Sequence, residues 1–141
     1  MKKYLFLMIA LVGLVGFSGC KKTEVVETAI MPNRTFIYTV SPDDWVLSDN
    51  NSTLQHDINL PELEQYYLDQ GNVSVAASFD GEGSYDLLPS TFGGLSYAVN
   101  YAIGSVLITA KDPLADPNVT IEKPTGEIVF KVVLSDSDYV E

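Results

Sequence analysis

The stretch Ile128-Val-Phe-Lys-Val-Val-Leu134 decides the fold. Ile128, Phe130, Val132 and Leu134 occupy every second position with Lys131 between them, which is the period of a strand with one buried face. The same rhythm recurs upstream. Phe36, Tyr38 and Val40 alternate with Thr39, and Leu54, His56, Ile58 and Leu60 alternate with Gln55, Asp57 and Asn59. Val73, Val75, Ala77 and Phe79 alternate with Ser74 and Ser78, Leu95, Tyr97, Val99 and Tyr101 with Ser96 and Asn100, and Val106, Ile108 and Ala110 follow. Shorter strands are expected around Trp45 and from Tyr85 to Leu88. Turn residues divide the runs at Ser41-Pro-Asp-Asp44, Asp80-Gly-Glu-Gly83, Phe92-Gly-Gly94, Asp112-Pro113 and Lys123-Pro-Thr-Gly126.

One segment departs from this rhythm. Asn59-Leu-Pro-Glu-Leu-Glu64 has a capping residue, an early proline and acids in a first turn, Leu63 and Tyr67 lie four apart, and Gly71 follows as a C-cap. The expectation is therefore an all-β domain over 34–141, an antiparallel sandwich of roughly eight short strands with one short helix at about 61–70.

The N-terminus carries an address. Lys2 and Lys3 precede an apolar run from Tyr4 to Val15, too short for a membrane span of about 20 residues but suited to a signal peptide over 1–19. Phe17-Ser-Gly-Cys20 resembles the lipobox of bacterial lipoproteins, with Phe17 where leucine is usual. That resemblance implies cleavage before Cys20 and acylation of Cys20, palmitate being the kind of chain expected. Residues 20–33 would then be a lipidated tether, and the partner would be the membrane itself. Cys20 is the only cysteine, so the domain has no internal disulfide, cysteine nucleophile or thiolate zinc site.

Charge narrows the partners. The chain has 8 basic and 19 acidic residues, and loss of Lys2 and Lys3 with the leader takes the net charge from −11 to −13. Such a domain repels nucleic acid and anionic lipid surfaces, so nucleic acid is excluded as a partner and attachment falls to the acyl chains.

Ser41-Pro-Asp-Asp-Trp45, Tyr85-Asp-Leu-Leu-Pro89 and the closing Ile128–Leu134 strand together resemble a group of short, uncharacterised lipoproteins of Gram-negative bacteria. In that group a lipobox and linker precede an acidic β domain of this size. The resemblance implies a cell-envelope location, the outer membrane ahead of the inner, and no established activity.

Candidate chemistry is sparse. His56, the single histidine, shares an apolar face and is expected to be a hydrogen-bonded structural residue. No H-E-x-x-H, G-x-S-x-G or phosphate-cradling glycine loop occurs, so an enzyme is not expected. Asp80, Glu82 and Asp86 are candidate calcium ligands on a glycine-bearing loop, or else the solvated acids of a hairpin; no other cofactor is expected. Asp112, Asp116, Asp136 and Asp138 are taken as solubilising charge. Trp45, its side undetermined, is a candidate ligand-binding aromatic, while Tyr97 and Tyr101 are expected in the core. The leading expectation is a non-enzymatic envelope binding or structural module. A glycan-binding surface lipoprotein using exposed aromatics is the alternative, and a hydrolase with carboxylates scattered in sequence is the third.

Overall fold

The computed structural model describes residues 33–48, 51–114, 116 and 118–137. The signal peptide, Cys20, almost all of the tether and Asp138 lie outside the described residues. Alternation produces strands where it was expected: β1 (Arg34–Val40), β3 (Thr53–Asn59), β4 (Asn72–Ser78), β7 (Leu95–Ala102), β8 (Ser105–Lys111) and β9 (Ile128–Ser135). The shorter β2 (Val46–Ser48), β5 (Asp86–Leu87) and β6 (Ser90–Phe92) complete nine strands among the described residues. The ninth, β6, escapes periodicity because three residues between Pro89 and Gly93 hold barely one alternation.

The strands form two antiparallel sheets, ordered β1-β9-β4-β5 and β2-β3-β8-β7-β6, packed as a sandwich. β9 is interior to its sheet, with β1 on one side and β4 on the other. Register carries the apolar rows across each sheet. Phe36, Val132 and Val75 make one row of the first sheet and Tyr38, Phe130 and Ala77 the next. Leu54, Ala110 and Tyr97 make one row of the second, and Ile58, Val106 and Tyr101 another. These rows meet in one core, in which Leu54, Val106, Ile108, Phe130, Val132 and Leu134 are fully enclosed. Tyr101 departs from the expectation and is 40 % exposed. β6 pairs only with Leu95–Tyr97, so nothing in that strand flanks Tyr101.

The helical segment is shorter than the sequence predicts. Helix α1 spans Gln65–Asp69 rather than 61–70, with Glu64 as its N-cap. Upstream, Leu60 N–H donates to the Gly104 carbonyl (2.8 Å) and Gly104 N–H donates to the Leu63 carbonyl (2.9 Å). Those groups serve the β7–β8 turn instead of a helix, and Leu60 and Leu63 are buried as the chain crosses. Gln70, not Gly71, is the C-cap. Gly71 is required for another reason: a Cβ there would lie 2.8 Å from the Ser135 carbonyl oxygen and 2.8 Å from the Tyr67 ring.

Candidate functional site

At one end of the sandwich, three local features create a groove. Gly93 and Gly94 connect β6 to β7 with φ of +57° and +81°, the left-handed pair that a two-residue hairpin turn of type I′ demands. This tight turn brings Phe92, at the end of β6, against Phe79, which follows β4. Their rings stack at 4.0 Å between centroids and 10° between planes. Phe79 also contacts Tyr97 at 5.1 Å, and Tyr97 in turn meets Trp45 at 6.2 Å. An aromatic column thus runs from the core to the surface. Phe92, 48 % exposed, is its outer end, and Tyr97, 3 % exposed, lies beneath.

The opposite wall is the segment Val119–Glu127. Ile121 pins it: the side chain is 6 % exposed, and its N–H donates to the Asn51 carbonyl at 3.1 Å. Pro124 and Gly126 then turn the chain into β9. The space between the walls is about 510 Å³, the size range of small-molecule sites, roughly 300–1,000 Å³. Asp112, Glu122, Glu127 and Lys123 also line it. Asp112 holds its own loop, accepting from the N–H groups of Leu114 (2.9 Å) and Asp116 (3.4 Å). Glu127 accepts from the Ser41 hydroxyl at 3.5 Å.

The residues singled out from sequence lie elsewhere. Trp45 is 1 % exposed, packed against Tyr97 and, at 6.1 Å, against Phe130. It presents no face to solvent, because the 3-10 turn at Pro42–Asp44 directs it inward at once. Its indole N–H is buried without a partner among the described residues. His56 has the hydrogen-bonded setting expected of it. Its Nδ1 lies 3.1 Å from the Asp44 carbonyl, and its ring is 6.0 Å from Trp45.

Asp80, Glu82 and Asp86 are not gathered into one ligand set. Asp80 accepts from the Ser78 hydroxyl (2.8 Å) and from the Ser84 N–H (2.9 Å) and hydroxyl (2.7 Å). These bonds, the Ser84 N–H foremost, pull its carboxyl down to about 2. Glu82, at φ +71°, accepts from the Tyr85 hydroxyl at 2.6 Å, and that bond pushes the phenol up to about 12. Lys131 lies over the Tyr85 ring at 3.5 Å, while Asp86 is in β5 opposite Ala77. Among the described residues no three of His, Cys, Asp and Glu are placed to hold a metal. Asp136 is more than solubilising charge, since it accepts a hydrogen bond from the Tyr66 hydroxyl and ties α1 to the end of β9.

Sequence reasoning missed Phe92 as a site residue and the whole Val119–Glu127 wall. One signal was available. The chain between Lys111 and Ile128 shows no alternation, and loops longer than about 12–15 residues in a small domain are commonly functional. No protein family, curated protein or solved structure matches the sequence.

Proposed function

We propose that this chain is a non-enzymatic binding module of the bacterial cell envelope, anchored through lipid on Cys20, and that its ligand lies in the groove floored by Phe79 and Phe92. The observation that carries the reading is the half-exposed Phe92, its ring stacked on Phe79 inside a groove of about 510 Å³. A preformed aromatic face flanked by a few polar groups is how proteins orient flat ligands at low entropic cost. Two of the acids in the lining hold backbone N–H or hydroxyl groups, a positioning role rather than a catalytic one.

A glycan ligand is the second form of the proposal. Phe92 takes the place expected of Trp45, and a sugar ring stacked on its free face would meet acceptors at Glu122 and Glu127.

Two measurements test the proposal on the full chain. Detergent phase separation should place the wild type in the detergent phase and Cys20→Ser in the aqueous phase. A neutral N-acetylglucosamine trimer should shift the methyl signals of Leu95, Val119, Ile121 and Ile128 under the glycan form of the reading, and Phe92→Ala should abolish the shift. An aqueous wild type removes the anchor. Trimer-induced shifts that survive in Phe92→Ala remove the stacking floor.

A further inference from the structure

We infer that the groove selects a small organic cation bearing a flat apolar group; this rests on the groove being the ligand site and adds its chemical class. Two independent features of the lining require both halves of that description. The stack covers one face of Phe92, a residue 48 % exposed overall, and leaves the ring's other face and edge as a surface that takes a flat apolar group or a cation. Around that ring the lining is electrically one-sided: among the described residues Asp112, Glu122 and Glu127 set three carboxylates against the single ammonium of Lys123.

The known partners of Asp112 and Glu127 are backbone N–H and hydroxyl groups, which leave their negative charge in place. The whole chain, at −11, adds a field of the same sign. An anion entering the groove would meet like charge with one ammonium to offset it. A cation would meet opposite charge and an aromatic face together. Gly93, Gly94 and Gly126 border the site, and no atom of a non-adjacent residue lies within 4 Å of where a Cβ on them would stand.

The experiment uses three probes of one shape and different charge: benzyltrimethylammonium, benzyl alcohol and phenylacetate. Each is titrated into the full chain in an uncharged detergent, following the methyl signals of Leu95, Val119, Ile121 and Ile128, with Phe92→Ala as the control for partitioning into micelles. The cation should bind at least ~10-fold more tightly than the anion, the neutral probe falling between, and 0.5 M salt should compress the series because exposed charges are screened at that ionic strength. Glu122→Gln with Glu127→Gln, both on exposed side chains, should narrow the cation–anion ratio by about threefold or more, as expected when two near-surface charges are removed. Equal binding of all three probes would keep the groove as a site and overturn charge selection. Tighter binding of the anion would overturn it outright. Shifts with none of the three would overturn this inference, and the trimer titration then decides the groove reading separately.

Discussion

Two acid-bearing loops of this protein, Asp80–Asp86 and Asp112–Glu127, place the same residue type differently. In the first, two carboxylates find partners within a few residues: Asp80 in Ser78 and Ser84, and Glu82 in Tyr85. These two acids build the turn from within it. In the second, Glu122 and Glu127 come from one segment and Asp112, which also holds its own loop, from another, and they line a groove floored by Phe92 of β6 and Phe79, which follows β4. Density of acids along the chain therefore marked the self-contained loop, whereas convergence in space marks the candidate site. A local hydrogen-bonded turn needs neighbours in sequence; a site needs neighbours across the fold.

This contrast yields ways to break it. Trp45→Ala should have the largest effect. Truncating a fully buried aromatic typically costs about 3–5 kcal/mol, and here it also removes the support of Tyr97 beneath Phe79. Thermal unfolding followed by circular dichroism should fall sharply, with loss of probe binding in the groove. A small change in melting temperature would mean that the aromatic column is not what props the floor.

Ile121→Ala should come next, at about 2–4 kcal/mol for a buried Ile truncated to Ala. It frees the groove wall but leaves the Asp80–Asp86 loop untouched. The methyl signals of Val119 and Ile128 should broaden or move, while the Tyr85 ring signals over Lys131 stay in place. Disturbance of both loops would dissolve the distinction between them.

Asp80→Asn should have the smallest effect and a diagnostic pH dependence. The folded carboxyl is held at about 2, below its ordinary value of 3.8. Its contribution to stability is therefore present above about pH 4 and is lost as pH falls through about 2. Melting temperatures of wild type and variant should differ most near neutrality and converge towards pH 2. A gap that stays constant with pH would show that the charge on Asp80 is not what organises this turn.

How legible each part was follows from the range of the forces involved. The six long strands could be read directly, because alternation records burial on one face and each strand's face is written in its own residues. His56 was placed correctly for the same reason. The helix was overextended because Pro61 and Glu62 carry good local signals, yet the backbone groups of Leu60 and Leu63 are committed to Gly104, distant in sequence. Tyr101 fits the apolar pattern of its strand, but its exposure depends on where β6 stops.

Trp45 and Phe92 mark the boundary most sharply. From sequence each is an aromatic beside a turn. A 3-10 turn drives one beneath the second sheet, and a left-handed pair of glycines leaves the other half exposed on a stacked partner. By itself, then, the sequence determined strand faces, turn positions and the acidic balance of the chain, since these depend on side-chain period, backbone preference and formal charge. The pairing of Phe79 with Phe92, the pinning of Ile121 and the gathering of three carboxylates around one groove were decided by tertiary structure, because each joins segments that only sheet registry brings together.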